Sequence, residues 1–145
     1  MLRVRIEVDG RPAWGRLHGD VVVTDDGGQV PAAEARWLAP VEPTKIICVH
    51  LTYRSRLVEY RVSRMPAEPS YFMKPPTTLA GSGGELRRPK GTRFLNYEGE
   101  IAVVVGERMK GVRPEDVHRY VYGFAPANDA GLHDFRHADR GSMLR

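Results

Sequence analysis

Two carboxylates, Glu98 and Glu100, stand two positions apart just before the apolar run Ile101-Ala102-Val103-Val104-Val105, which Gly106 closes. A β-branched run of this kind predicts a buried strand. In an extended chain, residues i and i+2 project to the same face, so both carboxylates enter one space at the mouth of that strand. Neighbouring anions repel, and burying either one unpaired costs several kcal/mol, order of magnitude ~3–5. Three arrangements relieve that cost: a shared proton, two basic partners, or a cation held between the oxygens. Carboxylate oxygens suit a hard divalent ion such as Mg²⁺, Mn²⁺ or Ca²⁺. The plain alternative is a solvated sheet edge on which both glutamates face water.

A third acid, Asp129, follows the apolar stretch Val121–Ala127. The path from Glu100 to Asp129 reads as strand, turn at Lys110-Gly111, short helix from Pro114, and strand. Pro at the first turn and acids at Glu115 and Asp116 suit a helix start. Such a path can return the chain beside its starting strand and bring Glu98, Glu100 and Asp129 onto one cation. His50, at the end of a predicted strand, is a candidate general base or a satisfied structural residue. His133 and His137 have i, i+4 spacing, but lack a nearby third His or Cys ligand for zinc, which leaves surface or substrate-facing roles. Lys74 could aim a cation at a substrate carboxylate or stand in solvent. Arg54, Arg56, Arg61 and Arg64 read as a solvated helix face, or as part of a mobile lid over an anionic substrate. Tyr53 reads as packing.

These groups must be positioned by a small chain. Its 145 residues fit one domain, or one domain with an appendage, and 15 Gly and 11 Pro predict a loop-rich, β-rich protein. Leu2–Val8 alternates and Asp9-Gly10 is a hairpin signal. Ala13–Leu17 and Val21–Thr24 complete a small meander, flexible in its parts, with a turn at Asp25–Gly28. Ala32–Leu38 predicts a strand or one helical turn. Pro40-Val41-Glu42-Pro43 reads as a linker, because two prolines so close block helix and sheet alike. The predicted boundary therefore separates residues 1–43, a small N-terminal β domain with its linker, from residues 44–145. Lys45–Leu51 predicts a buried strand. Thr52–Arg61 predicts a helix with an apolar face of Tyr53, Leu57 and Tyr60. Ala80–Gly84 is a tight turn without phosphate-loop spacing. Cys48, the single cysteine, reads as core. No run is apolar enough to span a membrane and no signal core opens the chain, so a cytoplasmic location is the expectation. The net charge of +4 is scattered, which favours anionic small molecules over nucleic acid.

The run Lys45-Ile46-Ile47-Cys48-Val49, then Tyr53, Phe72-Met73-Lys74-Pro75-Pro76, Tyr97-Glu98-Gly99-Glu100-Ile101-Ala102-Val103-Val104-Val105-Gly106, Tyr122-Gly123-Phe124, and Asn128-Asp129 with Asp134 resembles the fumarylacetoacetate hydrolase family. The resemblance covers residues from about 44 onward and is nearest the hydroxymuconate isomerase/decarboxylase-like or acylpyruvase-like branch. It implies an α+β, predominantly β fold, a mixed β-sheet roll preceded by the meander. It implies Mg²⁺ or Mn²⁺ held by Glu98, Glu100 and Asp129. Substrates would be small anionic 2-oxo, β-diketo or dicarboxylic acids, and the reaction C–C hydrolysis, decarboxylation or keto–enol isomerisation. A homodimer is implied as well.

The chain departs from the resembled pattern in three places. Family hydrolases carry a His, acting with a Glu, on the helix after the Tyr53-like residue; Arg56 occupies that neighbourhood, with Glu59 three positions on. The branch typically carries Arg where this chain has His133. Family members also continue well past the position of Arg145, which predicts a truncated chain or a remnant with exposed strand edges. The altered dyad favours isomerisation or decarboxylation over hydrolysis. Glu59 is the expected base, with His50 as the alternative. Arg56 is the expected carboxylate anchor, and Lys74 and His133 the expected substrate contacts. The competing expectation is a non-catalytic binding domain or inactive fragment of the same fold.

Overall fold

A computed structural model describes residues 2–59, 61, 64 and 67–135. The protein is mostly strand, and every strand pairing among the described residues is antiparallel. By its internal contacts it divides into two units, Met1–Leu86 and Arg87–Arg145.

In the first unit, β1 (Leu2–Val8) and β2 (Arg11–His18) form the expected hairpin. Asp9 and Gly10 both have positive φ, 50° and 74°, which matches the right-handed twist of the flanking strands. β3 (Val21–Thr24), β4 (Gln29–Pro31) and β5 (Arg36–Trp37) complete a sheet of order β4-β3-β2-β1-β5. The segment read as strand or helical turn is thus a turn leading into a two-residue strand. Strand alternation buries Val4 and Ile6 on one face, where they meet Val22; Val8, Leu17, Val30, Ala35 and Trp37 pack around them. On the other face Arg3 pairs with Asp25 and lies over the Trp14 ring. The Pro40–Pro43 segment has no regular structure, yet Arg5 ties it down through Glu42.

Two expectations about burial are corrected here. β6 (Ile46–Val49) forms, but it pairs only with β7 (Tyr71–Lys74) among the described residues. Register places Ile47 opposite Met73 and Val49 opposite Tyr71, and all four are exposed. Cys48 is half-buried rather than core. Between these strands α1 (Arg54–Glu59) is shorter than expected and buries no residue; Tyr53 is exposed and Tyr60 lies outside the described residues. One and a half turns cannot hold a wide apolar stripe.

Gly81 fixes how the Ala80–Gly84 turn meets β5. A Cβ built there would lie 2.2 Å from the Trp37 carbonyl oxygen and 2.8 Å from the Leu38 Cα, both main-chain atoms that cannot swing aside. Gly81→Ala is expected to destabilise the first unit by about 1–3 kcal/mol. Urea unfolding read by Trp fluorescence checks this; an unchanged midpoint would mean that the turn does not pack as described.

In the second unit β8 (Leu95–Asn96) pairs with β11 (Gly131–Leu132), and β9 (Gly99–Val105) with β10 (Val121–Asn128). The stretch Pro114–Tyr120 before β10 is helical, as expected, but of the tighter 3-10 type. β9 is the anticipated strand, though not buried: Ile101, Val103 and Val105 are exposed, as are Tyr122 and Phe124 across from them. Among the described residues, nothing is packed over this face of the two-stranded ribbon. No helix among the described residues is long and apolar enough to cross a membrane.

Candidate metal centre

Glu98 and Glu100 sit at the entrance to β9, and Asp129 at the exit of β10. Burial alternates along this strand: Asn96, Glu98, Glu100, Ala102 and Val104 are half-buried, while the residues between them are exposed. Both glutamates therefore occupy one face. The Asp129 N–H donates to the Glu98 carbonyl at 2.8 Å. This bond keeps the register of Gly99 opposite Asn128 on one side and Asn96 opposite Gly131 on the other. The two short ladders are thus one ribbon interrupted at Glu98 and Asp129, with Glu100 opposite Ala127.

Asn128 holds the interruption open. Its side-chain oxygen accepts the Glu98 N–H at 3.1 Å, in the place of a ladder carbonyl. Glu98 therefore has its N–H satisfied by Asn128 and its carbonyl by Asp129. Beyond the break, the His133 N–H donates to the Phe94 carbonyl at 3.0 Å, and the Asp134 carboxylate accepts the Arg93 and Phe94 N–H groups at 2.8 Å each. The imidazole Nε2 of His133 then lies 3.6 Å from a Glu98 carboxylate oxygen, with both side chains half-buried. Asn128 and Asp134 had no assigned role in the sequence reading, although both stood in the motif that carries the family resemblance, Asn128-Asp129 with Asp134.

The Asp134 carboxyl is held below its ordinary value of 3.8, chiefly by the Phe94 N–H, against the opposing effect of desolvation, and further by the Arg93 N–H. A lowered folded value means that the clamp's stabilisation is complete above the unfolded carboxyl value and is lost as the pH falls from there through the folded one. Amide exchange protection at Arg93 and Phe94 is therefore expected to drop on acidification below about pH 4. Asp134→Asn, which turns one acceptor into a donor facing an N–H, should lower that protection already at neutral pH. Equal protection in wild type and variant would remove the clamp.

The donor set is three carboxylates with one imidazole beside them, and this chemistry fits a divalent cation. Among the described residues, no three Asp, Glu, His or Cys side chains are gathered into a ready ligand sphere. The main chain brings the three residues to one stretch of the ribbon, with Glu98 bonded to Asp129 and Glu100 opposite Ala127. His137 lies outside the described residues, so the i, i+4 pair with His133 is not described.

The remaining candidates lie in the first unit. Arg56 donates to the Glu59 carboxylate at 2.6 Å, so the expected anchor and the expected base are paired with each other. His50 places Nδ1 3.0 Å from the Ser70 hydroxyl oxygen and stacks on Phe72 with ring centroids 4.7 Å apart. Its main-chain N–H also donates to the Ser70 carbonyl at 3.0 Å, so Ser70 holds it twice. Lys74 ends β7, half-buried and opposite Ile46.

An antiparallel ribbon interrupted at Glu98 and Asp129, in a chain with an N-terminal sheet of its own, describes a β-rich protein with a candidate carboxylate site. Comparison with known proteins makes the class specific. The fumarylacetoacetate (FAA) hydrolase C-terminal family matches residues 45–145. An uncharacterized protein of Archaeoglobus fulgidus is 34% identical over 137 residues, covering 93% of this chain and 54% of that protein. Oxaloacetate tautomerase Fahd2a, mitochondrial, of Rattus norvegicus is 34% identical over 108 residues, 74% of this chain and 34% of that one. Among solved structures, 5-carboxymethyl-2-hydroxymuconate delta-isomerase from Mycobacterium smegmatis superimposes with a TM-score of 0.83 at 25% identity, covering 99% of this chain and 60% of that chain. The chain belongs to the fumarylacetoacetate hydrolase family. It spans about half the length of the curated relatives it matches.

Proposed function

We propose that this chain carries the metal-binding part of an enzyme that acts on small 2-oxo, β-diketo or dicarboxylic acids, with keto–enol isomerisation or decarboxylation favoured over C–C hydrolysis. The observation that carries the reading is the shared position of Glu98, Glu100 and Asp129 at the ribbon break. These three residues would hold Mg²⁺ or Mn²⁺. When bound, such an ion supplies Lewis acidity toward the adjacent oxygens of an oxo acid. The residues' own part is to hold that charge in place: Asn128 and Asp129 fix the Glu98 main chain, and Asp134 fixes the neighbouring strand. Relatives named as a tautomerase and a delta-isomerase support the choice of reaction, which needs no activated water. Glu59 is the proposed proton acceptor, with His50 as the alternative; Arg56 and Lys74 are proposed to meet substrate carboxylates.

The test is enol-to-keto conversion of oxaloacetate, followed by ultraviolet absorbance with Mg²⁺ or Mn²⁺ and again after chelation. Metal-dependent acceleration that is lost in Asp129→Asn supports the reading. A folded, metal-loaded chain that accelerates neither oxaloacetate nor a hydroxymuconate or acylpyruvate substrate would establish the non-catalytic domain in its place. In an active preparation, Glu59→Gln is expected to lower kcat by about 100-fold or more, the usual range for a general base. An unchanged kcat would take that role from Glu59.

A further inference from the structure

We infer that the exposed apolar face of the β9–β10 ribbon is a docking surface for a β-segment that adds to the open edge of β9, of the kind that longer members of this family carry outside the region matched here. The inference concerns the face opposite Glu98 and Glu100 and is independent of the carboxylate reading. Register puts Ile101 opposite Pro126 and Val103 opposite Phe124, so these side chains share one face, and Val105 extends it. All five are exposed, Phe124 to 71% and Ile101 to 66%, and none is polar or charged. Together they present about 500 Å² of apolar surface, at the upper end of what the largest patch on a typical monomer exposes. One side of a standard protein interface is only somewhat larger, about 800 Å².

Two further observations specify the occupant. Among the described residues β9 pairs only with β10, so its other edge offers main-chain N–H and C=O groups along Gly99–Val105, a stretch with neither proline nor a basic side chain. The outer edge of β10 is blunted instead: Pro126 has no N–H, and the register shifts between Val121 and Gly123. Strand addition is therefore directed to β9, where main-chain bonds supply affinity and the apolar face receives alternate side chains of the added strand. Length points to the source. The Mycobacterium smegmatis delta-isomerase superimposes on 99% of this chain, which covers 60% of that protein, so the other 40% of a protein of this fold lies outside the match. An apolar face on the matched part and a large unmatched part are complementary facts: the second supplies the layer that the first lacks.

The experiment uses the full 145-residue chain. The probe is the part of the Archaeoglobus fulgidus relative that lies outside its match to this chain, produced as a separate polypeptide. Amide hydrogen exchange is followed with and without the probe, and the size of the chain alone is measured by analytical ultracentrifugation. The expected result is a one-to-one complex in which the β9 amides that do not donate to β10 exchange about tenfold more slowly or better, with β1 and β2 unchanged. Phe124→Ser and Ile101→Ser should each weaken the complex about tenfold or more. No complex with a folded wild-type chain, or a complex that leaves the β9 amides as fast as before, would overturn the inference; neither arm depends on a variant. A chain that self-associates and already protects its β9 amides would overturn it in favour of a second copy. Unchanged affinity in both variants would show that the apolar face is not the docking surface.

Discussion

Replacing Ile6 with Ala lowers the stability of the N-terminal sheet by about 3 kcal/mol, whereas Ile101→Ala changes the stability of the second unit by no more than about 0.5 kcal/mol. Both residues are isoleucines inside strands. Ile6 is 0% exposed and contacts Val22 and the apolar residues around it. Its truncation loses transfer free energy and leaves a cavity in the small core that this sheet encloses. Ile101 is 66% exposed, on a ribbon face that nothing described covers. Thermal melts are the check: Ile6→Ala should lower Tm by about 10 °C, and Ile101→Ala should leave it nearly in place. A comparable loss in both variants would mean that the ribbon face is covered in the folded chain.

Glu100→Gln raises the Kd for Mn²⁺ by on the order of 100-fold or more, with little change in Tm. Gln keeps the size and one acceptor oxygen, so the ribbon register opposite Ala127 should persist. What is lost is one formal charge of the proposed ligand set, and hard ions respond to ligand charge count above all. Each tenfold loss of affinity corresponds to about 1.4 kcal/mol. Calorimetric titration of both proteins measures it. Equal affinities would mean that any bound Mn²⁺ sits elsewhere.

The parts of the fold that were legible in the sequence are those governed by local rules. Asp9-Gly10 announces its hairpin because few residue pairs accept two positive φ values in succession. Glu98 and Glu100 share a face because a strand has period two. Burial was misjudged for a physical reason. A β-branched run such as Ile46–Val49 or Ile101–Val105 reports a preference for extended backbone, and says nothing about whether a further layer lies on top. The alternating strands around Ile6 and Val22, which looked like a flexible appendage, hold the described core. The supports of the site were hidden because they are long-range. The Asn128 bond to Glu98 spans 30 residues, and the Asp134 clamp on Arg93 spans 41. Only the register of the ribbon brings these pairs together. The pairing of Arg56 with Glu59 was local, three residues apart on α1, and an i, i+3 rule would have found it.

The central claim is that Glu98, Glu100 and Asp129 form one divalent-cation site within this chain. Its most direct test is the count of Mn²⁺ bound per folded chain, from loss of the free-ion EPR signal on titration at physiological ionic strength. The account predicts one Mn²⁺ per chain, displaced by excess Mg²⁺. A free-ion signal undiminished by a chain that circular dichroism shows to be folded would contradict it.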